Sequence, residues 1–167
     1  MAEEFLTLMA DLDDEAQERM SGWYEELKKA GFIGRQTPDL PFHISMATFP
    51  LDKEKEAIEI TEKAAREFSQ IKLHFSHIGL FAGGEVLFCA PEGSAELAAL
   101  HDACDKFPVS PHPWTPHATM ILDDSERICE ALPVMIRSFK PYGAKVTKLH
   151  LCAFWPTREI ACVELQG

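Results

Sequence analysis

The stretch PFHISMATFP, residues 41–50, decides how this sequence folds. It is a mostly apolar run, typical of a β-strand, that carries one histidine and one serine two positions apart. Side chains two apart on a strand point to the same face. His43 and Ser45 are therefore predicted to share one face, while Ile44 and Met46 face a hydrophobic core.

A second stretch, TPHATMIL (residues 115–122), has the same pattern. His117 and Thr119 are again an imidazole and a hydroxyl two residues apart, and Ala118 and Met120 are the apolar residues between and after them. The spacing predicts a second strand with one chemical face and one core face.

The elements around the two stretches follow one order twice: strand, helix, hairpin. Apolar periodicity and turn residues predict the boundaries. Gly31 is a plausible C-cap of the first helix, Asp52 a plausible N-cap of the second, and Pro133 is expected to kink or restart the last helix. The predicted strands are 5–12, 42–49, 73–81, 85–90, 117–122, 146–155 and 159–165, and the predicted helices are 13–30, 52–69, 94–107 and 125–139.

A constant offset relates the two motifs, since His117 follows His43 by 74 residues (117 − 43 = 74) and Thr119 follows Ser45 by the same distance. Two long copies are unlike a solenoid, which stacks several short repeats. We predict an α+β fold that is bilobal and internally duplicated. Two mainly antiparallel sheets line a central cleft and helices lie outside. Residues 1–167 form a single domain of two pseudo-symmetric lobes, with the first motif at about 42–49 and the second at about 116–122.

Composition narrows the possible functions. The chain has 167 residues, 46% hydrophobic content and a formal charge of −11, which suffices for one core and disfavours tracking of duplex DNA. It has no long apolar run for a membrane span and no basic leader, so a cytoplasmic protein without a membrane partner is expected. The five cysteines form no CxxC pair, and neither a metal nor a disulfide framework is expected. Nothing in the sequence demands more than a monomer.

The two motifs suggest phosphate chemistry. Two imidazoles and two hydroxyls brought together by the lobes could surround one tetrahedral group. No Asp, Glu, Lys or Arg lies between Asp39 and Asp52 or between Lys106 and Asp123, so no carboxylate adjacent in sequence orients either histidine. With an ordinary pKa near 6.5, one imidazole can act as a base and the other as an acid near neutral pH.

The paired motifs, His43-Ile44-Ser45-Met46 and His117-Ala118-Thr119-Met120, resemble those of the 2H phosphoesterase superfamily, the group related to 2′-5′ RNA ligases. The resemblance implies attack on a phosphodiester, commonly a 2′,3′-cyclic phosphate or a 2′-5′ linkage, without cofactor or metal. We predict a cyclic phosphodiesterase acting on a 2′,3′-cyclic nucleotide or a related small cyclic ribose phosphate. One of the two histidines, not specified by the sequence, would deprotonate water while the other protonates the departing sugar oxygen. Ser45 and Thr119 would bind the non-bridging phosphate oxygens.

One departure from the family affects the substrate. Many relatives continue the second motif to an arginine where this chain has Leu122. A small nucleotide is therefore favoured over an RNA 3′ end as the substrate. The alternatives are an RNA-end 2′-5′ phosphodiesterase or ligase, and a non-catalytic module that binds a phosphate ligand.

Three further residues are candidate substrate contacts. Trp114 could stack on a base at the cleft mouth or could equally anchor its proline-rich loop. Arg35 and Arg158 are candidate phosphate or ribose contacts, with a solvated surface role as the alternative for each.

Overall fold

Seven strands form one antiparallel sheet in the computed structural model, which describes residues 3–167. The strand order is β2-β1-β6-β3-β4-β5, and β7 pairs with β6 beside β3. The strands are β1 (Phe5–Leu12), β2 (His43–Phe49), β3 (Ile71–Leu80), β4 (Val86–Pro91), β5 (Ala118–Leu122), β6 (Tyr142–Phe154) and β7 (Arg158–Glu164), and the helices are α1 (Asp14–Lys29), α2 (Glu54–Glu67), α3 (Ala95–Cys104) and α4 (Ser125–Ser138).

The long strand β6 belongs to both halves of the molecule. Along one edge it pairs with β1, and along the other its first part pairs with β3 and its later part with β7. One lobe is therefore β2-β1-β6-β7 and the other is β6-β3-β4-β5. The predicted antiparallel α+β fold is confirmed, and the two predicted sheets are joined along β6. The internal duplication stays a prediction.

Each lobe has its own pair of helices. Helix α2 packs on β1, β6 and β7, and α3 packs on β2, whereas α1 and α4 pack together against β4, β5 and β6. The buried face of α1 illustrates why it forms: Ala16, Met20, Trp23 and Leu27 recur at helical spacing. Asp13 caps its first turn by accepting a hydrogen bond from the Ala16 amide at 3.1 Å.

The prediction for Asp52 was wrong, and of the two alternatives predicted at Pro133, a kink or a restart, the restart is excluded. Asp52 does not cap α2 but lies in a short 3-10 helix, Leu51–Lys53, because the chain turns tightly after extended Pro50 before α2 begins. Helix α4 does not restart at Pro133. Pro133 has no N–H, so the carbonyl of Cys129 loses its helical hydrogen bond. Both residues lie on the exposed side, where water can hydrogen-bond to that carbonyl.

None of the helices within residues 3–167 has the length and apolar character required to cross a bilayer.

Candidate active site

The two motifs lie on opposite lobes and face each other. β2 and β5 are the terminal strands of the sheet, yet their Cα atoms approach within 8 Å across the cleft. His43 is the first residue of β2, whereas His117 directly precedes β5 instead of lying within it as predicted. This difference arises because the register of β5 with β4 ends at Ala118, opposite Cys89.

The core face of each motif is as predicted. Ile44 and Ala118 are fully buried, and Met46 and Met120 are 1% exposed. The other face, with His43, Ser45, His117 and Thr119, is only partly buried.

A β-bulge follows each hydroxyl residue. In the β1–β2 pair the register passes from Ala47 to Ser45 and skips Met46. In the β4–β5 pair it passes from Ile121 to Thr119 and skips Met120. Bulges re-aim neighbouring side chains and are frequent beside active sites. Here they bend both strands at the same position of the two motifs, a feature that the sequence pattern did not reveal.

A backbone carbonyl orients each histidine. The Nδ1 of His43 lies 2.7 Å from the Pro41 carbonyl oxygen, and the Nδ1 of His117 lies 2.7 Å from that of Thr115. In both rings Nδ1–H is therefore the donor, which leaves Nε2 for the cleft. Sequence analysis found no carboxylate that orients either histidine. It did not predict the orienting backbone carbonyls, because every residue supplies a carbonyl and the sequence therefore gives no signal for them.

Two cavities meet at the motifs. One, of about 730 Å³, is lined by His117, Ser45 and Trp114 among others. The other, of about 660 Å³, is lined by His43, Ser45 and Thr119. Because Ser45 lines both, the two cavities are adjacent where the two motifs meet. The structure therefore brings the four predicted motif residues to one cleft.

His117 lies against aromatic rings. Its ring centroid is 4.7 Å from that of Phe81 in an edge-on arrangement and 5.1 Å from that of Phe88. Phe88 in turn lies across Gly79, its register partner on β3. Burial lowers the pKa of His117, and the hydrogen bond to the Thr115 carbonyl only partly opposes this effect.

His43 lies in a more polar environment. Asp11 of β1 is its direct register partner, and it is 4% exposed. Burial lowers the pKa of His43, whereas the Pro41 carbonyl and the Asp11 carboxylate act in the opposite direction. Positive charge on His150 or His117 would lower the pKa of His43 further.

An ionic cluster surrounds buried His150 of β6. Its Nδ1 lies 3.2 Å from Asp11 Oδ2, and its Nε2 lies 3.0 Å from Glu159 Oε2 and 3.3 Å from Cys152 Sγ. The Asp11 contact is an ion pair without hydrogen-bond alignment, and Asp11 Oδ1 has no hydrogen-bond partner within the described chain. The contact with Asp11 is the main cause that raises the pKa of His150 to about 11.

Sequence analysis missed this cluster. Its members come from β1, β6 and β7, so only the strand order brings them together. No spacing along the chain could have revealed it.

Trp114 anchors the loop that precedes β5 to β2 and α3 of the other lobe. Its Nε1 donates to the Ser45 carbonyl at 2.9 Å, and its ring stacks on His101 at a centroid distance of 4.0 Å. One ring face is therefore already covered. The side chain still lines the larger cavity, next to His117.

Both candidate arginines form ion pairs with carboxylates. The Arg35 guanidinium pairs with Asp124 at 3.0 Å and is largely exposed. Arg158 binds Glu3 and Glu54, at 2.6 and 2.7 Å, and these contacts raise its pKa. Neither side chain lines the cleft.

The described residues, 3–167, contain no group of three or more His, Cys, Asp or Glu side chains arranged to hold a metal ion.

An antiparallel α+β fold with one H-x-[S/T] motif on each wall of its cleft defines the class of two-histidine phosphoesterases. The chain belongs to the 2′-5′ RNA ligase superfamily, whose family model matches residues 12–154.

Solved structures share the fold. Escherichia coli LigT in complex with 3′-AMP aligns with a TM-score of 0.68 at 18% identity, over 99% of this chain and 100% of that one. The protein TT0787 of Thermus thermophilus aligns with a TM-score of 0.65 at 13% identity, over 98% of each chain. A structure described as a phosphoesterase aligns with a TM-score of 0.66 at 17% identity, over 98% of this chain and 99% of that one. No curated protein matches the chain.

Proposed function

We propose that this protein is a metal-independent phosphodiesterase that hydrolyses a 2′,3′-cyclic nucleotide or a related small cyclic ribose phosphate. The observation that carries the proposal is the cleft itself, to which each lobe contributes one histidine and one hydroxyl residue, with both histidines held by the same type of carbonyl bond.

The reaction needs two proton transfers. One imidazole Nε2 accepts a proton from water, whose oxygen forms a new bond to phosphorus. The bond from phosphorus to one ribose oxygen breaks, and the second imidazole donates a proton to that oxygen. The product is a ribose phosphomonoester. A neutral and a protonated imidazole together supply both transfers.

Ser45 and Thr119 are proposed to bind the non-bridging oxygens. As charge moves onto these oxygens in the transition state, hydroxyl donors stabilise it more than they stabilise the substrate. The position of Ser45 in both cavities is consistent with phosphorus lying at their junction.

The nucleotide part of the proposal draws on the similar structures. Escherichia coli LigT is described in complex with 3′-AMP, ATP, NADP+ and phosphate. These descriptions concern LigT, and for this chain they support testing nucleotides before other phosphate esters. Trp114, whose free face lines the larger cavity, is the proposed platform for a base.

The test is hydrolysis of a panel of 2′,3′-cyclic nucleotides with a chelator present. We expect turnover to persist, and His43→Ala and His117→Ala each to lose about 10²-fold or more in kcat. His74→Ala is the matched control, because His74 is an exposed strand histidine paired with Glu92 outside both cavities. Loss of activity to the chelator, or full activity in either cleft variant, would contradict the proposal.

A second candidate is cleavage or joining of a 2′-5′ linkage at an RNA end. It is favoured by the pair of cavities flanking Ser45, which offers space on both sides of a phosphate. An oligonucleotide substrate would then be preferred over a mononucleotide, and its affinity would fall steeply with salt. Tight product binding without turnover of any substrate would instead identify a non-catalytic binding module.

A further inference from the structure

The two cleft histidines differ in the charges around them. His117 is flanked by the rings of Phe81 and Phe88, whereas His43 is opposite the carboxylate of Asp11. The sequence motifs are nearly symmetric, so this difference arises from strands outside the motifs. This difference in surroundings indicates a different role for each imidazole.

Strand pairing fixes the contact between Asp11 and His43. Directly opposed residues of an antiparallel pair have Cβ atoms about 4.5–5.5 Å apart and point to the same face. Asp11 is 4% exposed, so its charge acts on His43 with little screening by solvent. Its Oδ1 has no hydrogen-bond partner within residues 3–167, so no donor offsets the charge on this oxygen.

His150 holds Asp11 in place from the other side. His150 Nδ1 forms the ion pair with Asp11 Oδ2 at 3.2 Å, and His150 Nε2 pairs with Glu159. The cluster thus places two carboxylates around one imidazole, buried Asp11 on one side and exposed Glu159 on the other. The titratable or charged groups around His43 are Asp11 on β1, His150 and exposed Lys148 on β6, Glu159 and Cys162 on β7, and His117 across the cleft.

We propose that Asp11, held by His150, is a positioning residue that stabilises the imidazolium form of His43, and that His43 is therefore the proton donor to the leaving oxygen while His117 is the base. This assignment rests on the proposed function. In the reaction His43 Nε2 loses its proton to the ribose oxygen as the bond to phosphorus breaks, and His117 Nε2 gains one from water.

The first test follows the ring signals of His43 and His117 by NMR against pH, with inorganic phosphate present. Asp11→Asn is expected to lower the pKa of His43, and His150→Gln is expected to raise it, because the first removes a negative neighbour and the second a positive one. The double variant Asp11→Asn, His150→Gln keeps a neutral hydrogen-bonding pair. The pKa of His43 in it is expected to lie between the values in the two single variants. The pKa of His117 should change in none of them.

Opposite signs separate this role from a structural one, since general loosening would shift the pKa of His43 in one direction only. Asp52→Asn is the control for loss of an exposed acidic charge, and circular dichroism verifies that each variant folds. If Asp11→Asn shifts the pKa of His43 no more than Asp52→Asn does, or if the two single variants shift it in the same direction, the assignment of Asp11 is overturned.

The second test uses the leaving group. A nucleoside p-nitrophenyl phosphodiester releases an oxygen that needs no protonation. The fold-loss of activity caused by His43→Ala should be at least about 10² times smaller on this substrate than on the cyclic substrate. The fold-loss caused by His117→Ala should be the same on both substrates. The reverse pattern would assign the acid role to His117. Absence of wild-type turnover on every substrate would refute the proposed function, and the NMR titrations would still decide the role of Asp11.

Discussion

Gly79 is the position where a single methyl group should reach the candidate active site. A Cβ placed on Gly79 would lie 2.7 Å from Cε2 and Cζ of Phe88, and ordinary contact begins at 3.4 Å. The Phe88 ring must therefore move by about 0.7 Å. It is 6% exposed and packs on both Phe81 and His117, so the displacement is transmitted to the His117 ring.

The expected cost of Gly79→Ala has two parts. Overpacking of this kind costs about 1–3 kcal/mol, which for a chain of this length lowers Tm by about 2–12 °C. A comparable displacement of the His117 imidazole, a proposed catalytic group, should lower kcat by about tenfold to 10²-fold. Both are measurable, by thermal denaturation and by hydrolysis of a cyclic nucleotide, and the His117 ring signals in NMR should move as well.

Gly143→Ala is the matched control. Gly143 is also a strand glycine, and its added Cβ would meet nothing closer than the Leu73 carbonyl at 4.0 Å. The double variant Gly79→Ala, Phe88→Leu removes the clashing ring atoms and should regain stability relative to Gly79→Ala. If Gly79→Ala behaves like Gly143→Ala in Tm and in the His117 signals, then the Phe88 ring does not couple Gly79 to His117.

Three further predictions concern the surroundings of the cleft. Trp114→Phe keeps the stacked ring but loses the hydrogen bond to the Ser45 carbonyl, so urea unfolding should show a loss of about 0.5–1.5 kcal/mol, and an unchanged stability would mean that this bond does not hold the loop. Arg158→Ala breaks an exposed ion-pair network and should leave both stability and kcat/KM nearly unchanged, whereas a tenfold loss of kcat/KM would place Arg158 in substrate binding. Because the pKa of His150 is raised to about 11, the folded state binds one more proton than the unfolded state between pH 6.5 and 11. Stability should therefore fall with rising pH in this window, by at most about 1.4 kcal/mol per unit, and His150→Gln should flatten that dependence in Tm measurements.

Local pattern predicted most elements of the fold. The alternation of residues 43–46 and 117–120 identified which side chains are buried, and helical spacing identified the buried face of α1. These predictions succeed because neighbouring residues report directly on the period of the backbone.

Strand pairing could not be predicted in the same way. β6 was expected to start at residue 146, but it starts at Tyr142 and that extension pairs with β3. The cluster of Asp11 and His150 depends on the same long-range pairing. The carbonyl bonds that orient His43 and His117 were missed for another reason, since backbone groups carry no sequence signal.

The sharing of β6 also determines how the cleft can move. The two lobes share this one continuous strand, to which β1, β3 and β7 are hydrogen-bonded. Rigid rotation of one lobe away from the other would have to break main-chain bonds of β6 or twist that strand. The distance between the two catalytic candidates can therefore change only if the sheet itself deforms. Access for a ligand depends on the segments that cover the cleft, 30–42 and 105–116, instead of on hinge closure.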